Sequence, residues 1–245
     1  MDYRCYILHV KKGYEDREAC IADQFDRLGI GFEWILEHDK HELTPDVLKR
    51  YGYHGDIPPE AVSCSLKHIA AWERIAAGKE AGGMVLEDDA LIDLGRFDAV
   101  VRQSLAELKR NWGARGCICF GNGCAMFVPW TKLKKGQRLY RAEVVRATDS
   151  YWIDRQTAAQ RLNWIQANGF SLPADHLINT IDTALGSPIL WSEPTIVTQG
   201  SHTGLFGSSI QLEDTTGWWK RLEWSLKVVR RKYLYPLLGK DLRKG

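Results

Sequence analysis

Met84-Val85-Leu86-Glu87-Asp88-Asp89-Ala90-Leu91-Ile92 is an apolar run interrupted by three consecutive acids. Its first residues read as a buried strand, and the acids fall at the strand end. Adjacent carboxylates repel one another and resist desolvation, so three in a row need a compensating partner. A hard divalent cation is the partner that neutralises them most readily. Mg²⁺ or Mn²⁺ held by one or two carboxylates completes its shell with water and substrate phosphate oxygens, which points to a nucleotide-linked substrate. The competing reading is a solvated turn after a strand.

Outward from this stretch, strand and helix alternate. Residues 61–77 predict a helix that leads across 78–83 into the strand. Upstream, 5–10 is a short apolar strand, 15–28 has helical periodicity ending near Gly29, and 32–36 is a second strand. Residues 39–59 are polar and punctuated by Gly52, Gly55, Pro58 and Pro59, which predicts an excursion over the surface. Downstream come a helix over 96–112, a strand over 117–120, a basic loop over 132–137, one or two strands within 139–153, and helices over 155–168 and 174–185. Such alternation predicts an α/β fold with a mostly parallel central sheet flanked by helices.

The chain has 245 residues, 44% hydrophobic and 26% charged, enough for one large domain or two small ones and unlike a disordered segment. The N-terminus lacks the basic region and apolar core of a signal peptide, and no run reaches membrane-spanning length, so a cytoplasmic protein is expected. Six cysteines form no zinc-like CxxC pair. Cys117, Cys119 and Cys124 are close enough to raise a metal question, but Cys117-Ile118-Cys119-Phe120-Gly121 reads as a buried strand.

The overall charge of +2 hides an asymmetry. Residues 217–245 hold nine bases against two acids, which leaves a net −5 on the preceding 216 residues. At 100° per residue, Trp218, Trp219, Leu222, Leu226, Val229 and Tyr233 share one arc and most of the Lys and Arg lie outside it. A basic amphipathic helix of this kind suits the headgroup region of an anionic membrane, at about 1 kcal/mol per basic residue near the surface. The same stripe could instead pack on the protein's own core. The expected division is therefore a domain over 1–215 and a basic C-terminal tail over 216–245. No nucleic-acid motif accompanies the charge.

Within the helix ahead of the acids, Cys64, His68 and Trp72 are four apart and share a face. His68 alone would suit a core position as well as a site. The ordered pattern Cys64-Ser65-Leu66-Lys67-His68-Ile69-Ala70-Ala71-Trp72, then Leu86-Glu87-Asp88-Asp89, resembles glycosyltransferase family 25. The resemblance extends over most of residues 4–210. It takes in Tyr6-Ile7-Leu8 with Arg17, the segment Tyr151-Trp152-Ile153-Asp154-Arg155-Gln156-Thr157-Ala158-Ala159, Pro173-Ala174-Asp175, Pro194 with Gln199, and Ser208-Ser209-Ile210. Lys67 and Asp154 replace serines usual in that family, and His9-Val10 replaces an Asn-Leu type start.

The resemblance implies a GT-A fold and an inverting, metal-dependent transfer of a hexose, galactose or glucose type, from a UDP-sugar to a glycan hydroxyl. Lipopolysaccharide or lipooligosaccharide assembly at the inner face of the cell membrane is the implied setting, with a lipid-linked acceptor. It further implies Mn²⁺ or Mg²⁺ on Asp89. His202 is the candidate second ligand, because a neutral imidazole in the Gly-rich loop Gly200-Ser201-His202-Thr203-Gly204 suits a segment that closes over a diphosphate; an ordinary loop histidine is the competing reading. Arg17, His68, Glu87, Asp88 and Gln199 would bind the nucleotide. Direct attack by a hydroxyl requires a base to take its proton. Asp175, following Pro173 at a helix start, is the candidate, with helix capping as its other explanation and Glu193 and Asp149 as other bases. The alternative function is a membrane-associated binding protein that keeps the fold without transfer. A metal-dependent phosphohydrolase would need further Asp and His ligands at strand ends.

Overall fold

The computed structural model describes residues 3–206 and 218–244, without the side chains of Cys124, His202, Trp218, Lys220 and Arg221. The strands are β1 (Tyr3–Leu8), β2 (Phe32–Ile35), β3 (Gly82–Glu87), β4 (Ala90–Ile92), β5 (Cys117–Cys119), β6 (Leu139–Ala142), β7 (Ser150–Asp154), β8 (Ile189–Ser192) and β9 (Val197–Gln199). The helices are α1 (Glu15–Leu28), α2 (Pro45–Arg50), α3 (Pro59–Ala77), α4 (Phe97–Asn111), α5 (Arg155–Asn168), α6 (Ala174–Leu185), α7 (Gly200–Thr203), α8 (Trp218–Val229) and α9 (Tyr235–Leu237).

Seven strands form one sheet in the order β2-β1-β3-β7-β5-β8-β6, and β4 pairs antiparallel with β9 beside it. β2, β1 and β3 run parallel, β7 opposes β3 and β5, β8 runs with β5, and β6 is antiparallel at the edge. The sheet is therefore mixed and mostly parallel, with five strands sharing a direction, as the alternation predicts. The strand order reverses between β1 and β3, because the chain passes from β1 to β2 on one side and then returns to β3 on the other. Open α/β sheets bind ligands beyond the carboxyl ends of strands at such points.

Alternation within the strands sends side chains to two faces. Tyr6, Leu8, Val85, Tyr151 and Ile153 meet Leu66, Ile69 and Trp72 of α3, Ala158 of α5 and Ile178 of α6. Cys5, Ile7, Met84, Leu86 and Trp152 meet Ile21 and Phe25 of α1 and Phe97 and Val101 of α4. Local chemistry sets the helix ends. α1 carries acids in its first turn and stops at Gly29, which at φ 62° adopts the left-handed cap a β-carbon disfavours. α5 begins on Asp154, whose Oδ1 accepts the amides of Gln156 and Thr157 at 2.9 and 3.0 Å. That accounts for Asp154 where serine was expected.

One expectation is corrected. Residues 39–59 do more than cross the surface: they contain a 3₁₀ turn at Lys40–Glu42 and α2, and they bury Tyr51. Lys67 explains the turn's position, because its buried Nζ lies 2.8 Å from Asp39 Oδ1 and donates to Glu37 O at 2.9 Å. The tail is helical as predicted, and of the two readings of its apolar stripe, packing on the core is the one the structure does not show. Leu222, Leu226, Val229 and Tyr233 are between 43 and 62% exposed. The more enclosed side includes Trp224, Lys227, Val228 and Lys232, and Lys232 Nζ sits 5.3 Å from the centroid of the Phe127 ring. No helix among the described residues is long and apolar enough to cross a membrane.

Candidate functional site

β1 and β3 end side by side, with Leu8 opposite Glu87. Beyond their carboxyl ends lies a cavity of about 570 Å³. Its walls come from His9 to Lys12, from Tyr14 and Arg17, from the 39–42 turn, and from Ser63, Cys64 and Lys67 of α3, with Glu87 and Asp88 at the base. The turn that was expected to wander over the surface is thus one wall of the cleft. The lining carries five bases, Lys11, Lys12, Arg17, Lys40 and Lys67, and five acids, Asp39, Glu42, Glu60, Glu87 and Asp88, and four of the bases are ion-paired to acids of the same lining.

Glu87 closes β3 and Asp88 and Asp89 form the turn after it, and each of the three meets a different partner set. Glu87 Oε1 accepts from Thr148 Oγ1 at 2.6 Å, with His68 Nε2 3.6 Å away, and Glu87 Oε2 accepts from Gln199 Nε2 at 3.4 Å. Burial alone would raise this carboxyl, but His68 and Thr148 hold it below its usual value. Asp88 is buried and accepts from Arg17 Nη1 at 2.8 Å on one oxygen, while His9 Nδ1 lies 2.9 Å from the other. Burial opposes its ionisation, yet His9 and Arg17 keep it below the ordinary aspartate range.

Asp89 is the exception. Its Oδ2 accepts the Ser201 amide at 3.2 Å and its carbonyl accepts the Gly200 amide at 2.7 Å, but Oδ1 is buried with no partner. Desolvation, then the Glu87 charge, raises its carboxyl to about 6. An unpartnered carboxylate oxygen is a single donor of the hard kind that Mg²⁺ and Mn²⁺ take. Asp89 lies outside the lining of the cavity and against α7.

Asp149 stands under the same cluster. Its carbonyl accepts the Glu87 amide at 3.1 Å, and its fully buried carboxyl is pushed well up by desolvation and then by Glu87. Both carboxyl oxygens sit 2.1 Å from where a β-carbon on Gly121 would be, so the space they occupy exists because residue 121 has no side chain.

Arg17, His68, Glu87, Asp88, Asp89 and Gln199 are therefore brought into one cluster. Asp175 is in the first turn of α6, half-buried, with Oδ1 accepting the His176 amide at 2.8 Å. It is no N-cap, since Pro173 holds that position. It is not among the residues that line the cavity, though its charge reaches Cys64 of α3, whose thiol burial, then Glu87 and Asp175, drive well above its usual value. The other two candidate bases are closed off. Asp149 is sealed in the interior, and Glu193 Oε1 is taken by Arg146 Nη2 at 2.7 Å and the Val128 amide at 3.0 Å. His202 contributes its backbone to α7, and its side chain lies outside the described residues, as do Ser208, Ser209 and Ile210.

Residue-level reading missed His9, Thr148 and Tyr151 as site members. His9 had a usable signal: a polar ring directly after the first parallel strand falls where ligands bind. Cys64, His68 and Glu87 also place donor atoms within 4.8 Å of one another. No known protein-family model matches this sequence, and no curated protein matches it.

Proposed function

We propose that this chain is an inverting, metal-dependent glycosyltransferase of GT-A type that moves a hexose from a UDP-sugar to a glycan hydroxyl in lipopolysaccharide or lipooligosaccharide assembly. The observation that carries this reading is Asp89: a buried carboxylate just beyond the carboxyl end of β3, with one oxygen that has no hydrogen-bond partner. The resemblance to glycosyltransferase family 25, in ordered motifs from Arg17 to Gln199, supports the donor class.

In this reading Asp89 holds the Mn²⁺ or Mg²⁺, with His202 as second ligand. A divalent cation bound there stabilises the charge that develops on a departing nucleoside diphosphate. Glu87, clamped by Thr148 and Gln199, receives the ribose hydroxyls. Arg17 neutralises Asp88 at the base of the cleft, 2.8 Å away. The acceptor oxygen bonds to the anomeric carbon as the bond to the diphosphate breaks, and its proton passes to Asp175. The tail's outward Leu222, Leu226, Val229 and Tyr233 with their flanking bases dock the enzyme on an anionic membrane, at the inner face of the cell membrane, where a lipid-linked acceptor would reside.

A panel of sugar nucleotides tested by thermal shift with and without Mn²⁺ checks the reading. A Mn²⁺-dependent rise in Tm with one UDP-sugar is expected, since a ligand of the native state stabilises it by mass action. No shift with any nucleotide would overturn it.

A further inference from the structure

Trp72, Tyr151 and His68 form a hydrogen-bonded line that leads from the core to Glu87. Trp72 and His68 are one turn apart on α3, and Tyr151 pairs with Val85 in the sheet beneath them. All three side chains are at most 1% exposed. Trp72 Nε1 donates to Tyr151 Oη at 2.8 Å, and His68 Nδ1 lies 2.9 Å from the same oxygen.

The direction of the second bond follows from counting protons. An indole N–H can only donate, so it occupies one acceptor site of the hydroxyl. If His68 Nδ1 also donated, Tyr151 would accept twice and its own proton would be sealed in the core with no acceptor, which buried polar groups avoid. The hydroxyl therefore donates to Nδ1, and the hydrogen of His68 sits on Nε2. That atom has no partner within hydrogen-bonding distance, and it faces Glu87 Oε1 at 3.6 Å. Catalytic contacts of this length commonly tighten when ligand binds.

We infer that Tyr151 is a positioning residue: its proton fixes the tautomer of His68, and His68 Nε2–H holds Glu87 toward the cleft. The same proton count decides against the other use of this corner. Cys64, His68 and Glu87 have the donor chemistry of a zinc site. A zinc ion would need the Nε2 lone pair, moving the hydrogen to Nδ1 and stranding the Tyr151 proton. Only the link to nucleotide binding rests on the function proposed above; the tautomer stands on the apo protein alone.

The test joins ¹⁵N NMR of the His68 ring with calorimetric UDP binding in Mn²⁺, on wild type, Tyr151→Phe and Trp72→Phe. Wild type should show Nε2 protonated and Nδ1 bare. Tyr151→Phe should lose that preference and bind UDP roughly tenfold more weakly, the scale of a lost bond to a charged group. Trp72→Phe removes more buried volume and should melt lower, yet keep the tautomer and an affinity within about twofold. A purely structural role would rank the two variants the other way in binding. The inference is overturned by an Nδ1–H tautomer in wild type, by an unchanged tautomer in Tyr151→Phe, or by stoichiometric Zn²⁺ whose Co²⁺ replacement shows a thiolate band lost in Cys64→Ser. Should Tyr151→Phe not fold, the wild-type spectrum alone decides. Should wild type bind no UDP, the proposed function fails while the spectra still judge the tautomer.

Discussion

Lys132 Nζ lies 2.8 Å from Asp241 Oδ2, so the loop before β6 grips the far end of the C-terminal segment. Arg243 adds a second ion pair to the same carboxylate, the Glu143 amide donates to Arg243 O at 2.8 Å, and Leu242 packs against the core. The tail is thus anchored at its end while α8 keeps its apolar stripe in solvent. Removing residues 217–245 should cost several degrees of Tm through loss of Leu242 and its neighbours. Leu222→Ser with Leu226→Ser should leave Tm within a degree or two, because both side chains are already exposed. Both forms should lose co-sedimentation with phosphatidylglycerol vesicles, and retained binding by the double variant would remove the stripe as the membrane face.

Asp89→Asn should abolish Mn²⁺-dependent transfer and Mn²⁺-dependent stabilisation by UDP. It should not unfold the chain, since the carboxylate is costly to bury in its charged form and the amide carries no charge. Melting curves with and without Mn²⁺, beside a radiolabel transfer assay, would check both halves. Full activity in the variant would place the cation elsewhere.

The raised Asp89 carboxyl gives a signed pH prediction. Its folded value, about 6, exceeds the ordinary aspartate value, so the native state binds the proton more tightly than the unfolded chain does. Its contribution to stability is full below the ordinary value and is lost as pH rises toward 6. Without metal, Asp89→Asn should flatten that part of the stability–pH curve. Cation binding displaces the proton, so apparent Mn²⁺ affinity should fall up to about tenfold per pH unit below 6 and level off above it. Affinity flat from pH 5 to 7 would contradict the assignment.

Asp175→Asn should lower turnover by about two to four orders of magnitude, the usual worth of a general base, with UDP affinity unchanged. Single-turnover rates beside calorimetry separate the two effects. An unaltered rate would leave Asp175 as a residue of the α6 first turn and nothing more.

Helical and strand periods made most of the frame legible from sequence: α1, α4, α5 and α6 fall within a residue or so of their expected bounds. β8 and β9 were not, because four and three residues set between Pro188, Pro194 and polar neighbours are too short to show a period. The 39–42 turn was misjudged for another reason. Its polarity suggests solvent, but polarity is also what a cleft wall needs, and only Lys67 reaching across 28 positions to Asp39 separates the two. In the site, the acids announce themselves through their spacing. The partners that distinguish them do not, since His9 meets Asp88 from 79 positions away and Thr148 meets Glu87 from 61. For the tail, the arc of apolar residues was plain, but which way it would turn depended on contacts at Phe127 and Lys132.

Gly121 carries a consequence for how such a site tolerates change. An alanine there would drive a methyl group into both oxygens of Asp149, whose carbonyl in turn receives the Glu87 amide. The acid could not simply step aside, being enclosed on every side. One added carbon on a residue with no chemistry of its own would therefore be transmitted through the floor of the cluster to the end of β3. A search for functional positions confined to polar side chains would pass over Gly121, although its empty volume is what lets four acids share so little room.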